Sequence, residues 1–224
     1  MPESPIPTLK PSPRCPSPRL GRGLYAISDG PRDDLLPAAR AALEGGASML
    51  QYRDKTRDAE RRLHEAQALS ELCGEFDVPL IINDDVALAR AGGAAGVHLG
   101  EDDADIASAR AQLGGHAIIG VSCYDSLQRA RDAAQAGADY LAFGAFFPTA
   151  TKLVTRRATP WLLREACEFG LPRVAIGGIT PDNGGALIAA GADYLAVVSG
   201  VFGAADIRDA AKQYAKLFDT DQGG

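Results

Sequence analysis

The hexapeptide Gly-Ala-Asp-Tyr-Leu-Ala occurs at Gly137–Ala142 and again at Gly191–Ala196, each time joining the end of an alanine-rich stretch to an apolar run. Related versions stand at Gly45–Leu50 and Gly93–Leu99. A glycine that closes a helix directly before a short apolar run marks a helix-to-strand junction, and here the junction recurs along the chain. Eight apolar runs can be placed: Leu24–Ser28, Ser48–Tyr52, Pro79–Asn83, Gly96–Leu99, Ala117–Val121, Tyr140–Gly144, Arg173–Gly177 and Tyr194–Val198. They are nearly continuous in apolar residues, as strands covered on both faces must be, which predicts a parallel sheet. Between them, stretches such as Leu35–Leu43, Arg62–Cys73 and Leu127–Ala136 carry apolar residues at helical spacing. Eight strand-helix units predict an α/β fold, a single (β/α)8 TIM barrel. The alternative, a doubly wound sheet, would carry a glycine fingerprint after its first strand, and Ser28, Asp29, Gly30 and Pro31 do not supply it.

The length of 224 residues, 46% of them hydrophobic, suffices for one sizeable core and one domain. Residues 1–22 interleave proline with serine and basic residues, so they can neither propagate a helix nor bury apolar area, and they are expected to form a disordered tail before a barrel domain over 23–224. The chain carries a net charge of −6, and because the first 22 residues are net +3 the remainder carries −9. That remainder should repel nucleic acid, so no nucleic-acid partner is expected. If the domain binds anionic metabolites, the attraction must come from local cations, backbone amides and a metal. Cys15, Cys73, Cys123 and Cys167 lack paired spacing and read as free thiols. No run long and apolar enough for a membrane span occurs, and a cytoplasmic location with no membrane partner is expected. A homo-oligomer is compatible with the sequence, which does not specify it.

In a barrel, chemistry collects where strands end and helices have not begun. After the second run come Gln51, Tyr52, Arg53, Asp54 and Lys55; alternation places Gln51, Arg53 and Lys55 on one side, aiming an amide and two cations at one region. The same residues also permit a solvated strand end with a salt bridge among Arg53, Asp54 and Lys55. The third run ends in Asn83, Asp84 and Asp85, of which Asp85 is placed to cap the next helix and the other two to reach the barrel mouth. The fourth holds His98 and leads into Glu101, Asp102 and Asp103. Carboxylates on adjacent strand ends repel unless a cation joins them, and magnesium takes one or two carboxylates beside water and phosphate oxygens. The acidic run can equally serve the next helix as N-terminal charge. His64, His98 and His116 show no metal-ligand spacing, so zinc is not expected. The aspartates of the repeat, Asp139 and Asp193, begin strands at the opposite face and are expected to be structural.

Ser122 stands after the fifth run, and the sixth leads into Thr149, Thr151 and Lys152, a segment suited to gripping an anion. That loop continues through Arg156 and Arg157 to Thr159, about 15 residues, long enough for a mobile cover. The last two runs end in Gly177, Gly178, Ile179, Thr180 and in Val198, Ser199, Gly200, where bare backbone amides can approach phosphate oxygens.

Taken in order, QYRDK, NDD, HLGEDD, GVS, PTATK, GGIT and VSG resemble the thiamine phosphate synthase family from Leu24 to Phe218. The resemblance implies a transferase that joins a pyrimidine diphosphate to a thiazole phosphate and releases pyrophosphate. It implies that Gln51, Arg53, Lys55 and Asn83 hold the pyrimidine diphosphate and that Asp84 and Asp103 ligate one magnesium ion attached to it. Ser122 and Lys152 are implied to contact the same diphosphate as the catalytic pair. Thr149 and Thr151 are implied to approach the thiazole phosphate, with Gly178, Val198 and Ser199 around its phosphate group. The sequence departs from the family pattern at Glu101, where glutamine is common, and at Ala145 and Ala150, where proline and glutamate are often seen. Glu101 would either tighten metal binding or point into solvent. Two rival functions remain open at this point: a thiazole tautomerase, which needs a histidine where Tyr124 stands, and a catalytically silent sensor of phosphorylated metabolites.

Overall fold

A computed structural model of the chain describes residues 20–101, 105–148 and 156–219. Its eight strands are β1 (Gly23–Ile27), β2 (Ala47–Tyr52), β3 (Leu80–Asn83), β4 (Gly96–Leu99), β5 (Ile118–Tyr124), β6 (Tyr140–Gly144), β7 (Arg173–Ile176) and β8 (Tyr194–Val197). All neighbours pair in parallel and in sequence order, and β8 closes on β1, so the barrel is complete. Among the described residues the outer ring comprises α1 (Leu35–Glu44), α2 (Ala59–Glu75), α3 (Val86–Ala91), α4 (Ile106–Leu113), α5 (Leu127–Gln135), α6 (Pro160–Glu165), α7 (Pro181–Ala189), α8 (Ser199–Phe202) and α9 (Ile207–Ala215). The strand bounds differ from the sequence reading by one residue at most, except in β5, which runs on to Tyr124. Ser122, expected after that strand, therefore lies within it.

The continuous apolar runs are explained by two separate interiors. Alternate strand residues such as Leu24, Leu50, Ile82, Val97, Ile119, Leu141 and Leu195 face outward and pack on Ala38, Leu69, Ala89, Leu163, Leu187 and Ala211 of the helices. The intervening residues Tyr25, Ile27, Met49, Ile81, Ile118, Tyr140, Val174 and Tyr194 fill the barrel axis. Helix starts are fixed locally: Asp58, Asp85, Asp105, Ser126 and Asp206 each accept a hydrogen bond from a backbone N–H three residues on, replacing a bond that the first helical turn lacks. Asp85 thus caps α3 as its position before Val86 suggested.

The repeated aspartates tie strand starts together, in agreement with a structural role. Asp139 Oδ2 accepts from the Ile119 backbone N–H (2.9 Å) and from Arg110 (2.6 Å), joining β6 to β5 and α4. Asp193 Oδ2 accepts from the Arg173 N–H (2.9 Å) and from its guanidinium Nε (3.3 Å), joining β8 to β7. Of the residues assigned to a tail, Leu20 to Arg22 are described, and two of them pack: Leu20 is only 6% exposed within the axial cluster, and the Arg22 guanidinium lies 5.3 Å from the Phe218 ring centroid. Leu20 thus packs beneath the first strand, which itself starts at Gly23. Residues 1–19 lie outside the described residues. Among the described residues no helix is long and apolar enough to cross a membrane. Burial pushes the Cys73 and Cys123 thiols up to about 12, which keeps them protonated and unreactive.

The two aspartate anchors differ in how deeply their partners are held: the Arg173 side chain is 0% exposed, that of Arg110 26%. Asp193→Ala is expected to destabilise the fold by about 3 kcal/mol because it removes the carboxylate from a fully buried guanidinium. Asp139→Ala should cost less, about 1–2 kcal/mol, because water can reach its arginine. Urea unfolding of the two variants measures the difference; equal losses would contradict the burial argument.

Candidate active site

At the strand ends, β2, β3, β4 and β5 stand next to one another and carry the polar residues, while β7 and β8 complete the ring with glycines. The pairing of Asn83 with His98 and of His98 with Gly120 sets these side chains at one level across β3, β4 and β5.

Strand alternation does not extend over Gln51, Arg53 and Lys55 together. Gln51 points into the barrel axis, is 2% exposed and donates from Nε2 to the Tyr25 hydroxyl at 2.6 Å. Strand β2 ends at Tyr52, so Arg53 and Lys55 follow the loop instead; the Arg53 amide donates to Ser28 Oγ (2.8 Å), and Lys55 Nζ lies 3.5 Å from Asp84 Oδ2. The alternative salt bridge among Arg53, Asp54 and Lys55 is replaced by another. Asp54 turns to Arg61 at 2.7 Å and accepts from the Thr56 amide at 2.7 Å. Burial alone would raise the Asp54 carboxyl, but the Thr56 and Arg61 hydrogen bonds outweigh it and hold the group below the usual carboxylate range. Asp54 is therefore a fixed anion that shapes the loop carrying Lys55.

Asp84 sits in the left-handed region with φ of 62°, a conformation that costs a non-glycine residue about 1 kcal/mol. The bond from its amide to the His98 carbonyl (2.8 Å) holds it there, and its Oδ2 accepts from Asn83 Nδ2 at 2.6 Å. A positive φ is one signal of a constrained site that the sequence alone does not display. Asp85 caps α3 and pairs with Arg62 at 3.0 Å, so its carboxylate is already engaged. Lys55, Asn83, Asp84 and Asp85 line a cavity of about 390 Å³ open to solvent. A larger hollow of about 490 Å³ lies beside the β1–α1 loop, lined by Arg32 and Arg61. There both cations are already matched, Arg32 by Asp29 and Asp34, Arg61 by Asp54 and Glu65, so it offers an anion less attraction.

Ser122 Oγ lies 2.9 Å from His98 Nε2, and His98 Nδ1 lies 2.9 Å from the Tyr140 hydroxyl. The Tyr140 hydroxyl is 2.9 Å from that of Tyr25, which receives Gln51. Five side chains from five strands thus form one line through the axis. Tyr25, His98 and Tyr140 carry no local sequence signal of this role beyond their inward positions in the strand alternation, because a tyrosine within an apolar run reads as filling and no histidine here has metal-ligand spacing.

Glu101 pairs with Arg156 at 3.1 Å, both exposed, and Arg156 also lies 5.1 Å from the centroid of the Tyr124 ring. Arg129 lies 5.8 Å from the same centroid, so Tyr124 is packed by guanidinium groups where a tautomerase would require a proton-transferring histidine. On the opposite side, Ile176 pairs with Ala196, so Gly178 and Val198, two residues on, leave β7 and β8 side by side. A Cβ at Gly178, whose φ is 65°, would stand 2.5 Å from the Pro148 carbonyl oxygen; only glycine lets the β6–α6 and β7–α7 loops approach this closely. Ser199 follows as the first residue of α8. Asp102, Asp103, Thr149, Thr151 and Lys152 lie outside the described residues.

For a metal, the described residues offer hard oxygen donors led by Asp84; no group of three or more His, Cys, Asp or Glu side chains converges among them. Asp84, on a cavity open to solvent, could supply one carboxylate oxygen to a cation that keeps most of its shell for water and phosphate oxygens, as magnesium does.

Comparison with known proteins agrees with this layout. Residues 24–201 match the thiamine monophosphate synthase family. The thiamine-phosphate synthase of Xanthomonas campestris pv. campestris (strain 8004) is 58% identical over 204 residues, covering 91% of this chain and 99% of the relative. That of Nitrosococcus oceani is 54% identical over 201 residues, covering 88% and 93%. Among solved structures, thiamine phosphate pyrophosphorylase from Pyrococcus furiosus superimposes with a TM-score of 0.81 at 35% identity, covering 92% of this chain and 99% of that one. With its closed barrel and its ordered motifs matched over nearly their whole length, the chain belongs to the thiamine monophosphate synthase family.

Proposed function

We propose that this chain is a thiamine-phosphate synthase, condensing a pyrimidine diphosphate with a thiazole phosphate and releasing pyrophosphate. The observation that carries the proposal is the convergence of Lys55, Asn83 and Asp84 on one cavity, with Ser122 on β5, one strand beyond β4, and the close loop approach at Gly178. The C–O bond between the pyrimidine methylene and its diphosphate breaks, and the electron pair leaves with diphosphate. The electron-rich aminopyrimidine stabilises the resulting cation, and the thiazole nitrogen lone pair then forms the new C–N bond. No strong base is needed. The protein's task is to stabilise charge building on the leaving group, which suits Lys55, Arg53, Lys152 and the Ser122 hydroxyl. Asp84 and Asp103 would hold magnesium, which when bound supplies further positive charge to the diphosphate oxygens. Thr149, Thr151, Gly178, Val198 and Ser199 take the thiazole phosphate in this proposal.

The test is to mix the purified protein with magnesium and both phosphorylated precursors and to measure pyrophosphate and thiamine phosphate together. Release of both in equal amounts is expected. Isomerisation of the thiazole without pyrophosphate would establish the tautomerase instead, and binding without either product would establish a sensor.

Two substitutions probe the charges. Asp84→Asn keeps the shape and the left-handed backbone but removes the anion, and turnover should fall about 10²-fold or more, as should that of Lys152→Ala, with unchanged far-ultraviolet circular dichroism. Wild-type rates in both would remove these residues from the mechanism. Glu101→Gln should shift the half-saturating magnesium concentration by less than about twofold, because the carboxylate is engaged with Arg156 in an exposed pair. A magnesium titration of the rate decides this, and a large shift would place Glu101 at the metal.

A further inference from the structure

The axial line of side chains has a direction, and its direction follows from counting protons. The Gln51 Nε2 group can only donate, so the Tyr25 oxygen accepts from it. Tyr25 is 1% exposed, and leaving its single hydroxyl proton without an acceptor there would cost about 1–3 kcal/mol. The remaining neighbour is the Tyr140 oxygen at 2.9 Å, which must receive it. Tyr140 is 0% exposed under the same constraint, and its proton goes to His98 Nδ1 at 2.9 Å. A histidine that accepts at Nδ1 carries its proton on Nε2 when neutral, and that proton meets Ser122 Oγ at 2.9 Å. The serine is then an acceptor within the line, and its own proton is left for a partner outside it.

We propose that Tyr140 is a positioning residue that fixes His98 as the Nε2–H tautomer and thereby makes the Ser122 hydroxyl a donor toward an anionic oxygen at the barrel mouth. The role in turnover rests on the synthase assignment above, with the diphosphate leaving group as the anion. The arrangement is built into the fold at some cost in sequence freedom. Gly120 lies between His98 and Tyr140 in the strand register, and a Cβ there would stand 1.9 Å from the Tyr140 ring. Only glycine leaves room for the phenol to cross β5 and stack on the imidazole, with ring centroids 5.6 Å apart and 16° between planes. Burial pushes both the Tyr25 and Tyr140 hydroxyls well above the usual tyrosine range, so each remains a protonated donor. No ionisation is required anywhere in the line.

The experiment reads the tautomer directly. The chain has three histidines, so the spectrum of ¹⁵N-histidine-labelled protein is simple, and His98→Gln identifies the His98 signals by their loss. The wild-type protein should show His98 protonated at Nε2 and bare at Nδ1. Protonation at Nδ1 would reverse the line and overturn the proposal. Tyr140→Phe keeps the stacked ring and removes only the hydroxyl. His98 should then become a mixture of tautomers, and kcat for pyrophosphate release should fall about tenfold, the scale of losing an orienting partner one contact removed, while both KM values stay within about twofold. An unchanged tautomer or an unchanged kcat would overturn the role of Tyr140. Should that variant fail to fold, Tyr25→Phe leaves the buried Tyr140 proton His98 Nδ1 as its acceptor, so His98 should remain the Nε2–H tautomer, and a shift of the proton to Nδ1 would overturn the proposal. The tautomer is measured without substrate, so it decides the order of the hydrogen bonds even if the protein releases no pyrophosphate.

Discussion

A closed ring of eight strands must fill its own axis, and this chain sets three tyrosines among the aliphatic side chains that fill it. Tyr25, Tyr140 and Tyr194 are each no more than 1% exposed and meet edge to face, with Tyr25 at 6.0 Å from Tyr140 and 6.4 Å from Tyr194. Aliphatic side chains would have filled the same space without obligations. A phenol carries a polar atom that must be satisfied wherever it is buried, so this packing solution compels a polar line through an otherwise apolar column. Gln51 at one end and Ser122 at the other are the places where that line reaches the strand ends.

The same sheet is organised differently at its two faces. At the strand starts, the duplicated aspartates hold backbone amides and arginines in closed arrangements, with Arg173 wholly enclosed. At the strand ends the Lys55–Asp84 pair is looser and more exposed: the two approach only to 3.5 Å, and Asp84 holds a left-handed backbone. Enclosed charge at one face and exposed charge at the other is the physical difference between an anchor and a site.

The strand-helix alternation was legible in the sequence because burial on both faces leaves a continuous apolar signature, and all eight strands fell within a residue of their expected starts. The roles of Asp85, Asp139 and Asp193 were legible too, since capping and junction positions are local. The grouping of Gln51 with Arg53 and Lys55 was not, because alternation holds only while the strand continues and β2 stops at Tyr52. Asp54 chose Arg61, seven residues on, over its immediate neighbours, a choice that depends on where α2 begins. The contacts of His98 with Ser122 and Tyr140 span 24 and 42 residues, beyond any local pattern. Thr149, Thr151, Lys152 and Asp103 stand on the family resemblance and not on described geometry.

Leu20 gives the molecule a stopper. It seals the column beneath Tyr25 and Tyr194, and above it Met49 and Ile81 are fully enclosed. The axial column is therefore filled from the strand starts upward, so a small molecule can reach Ser122 or Asp84 from the strand-end face alone.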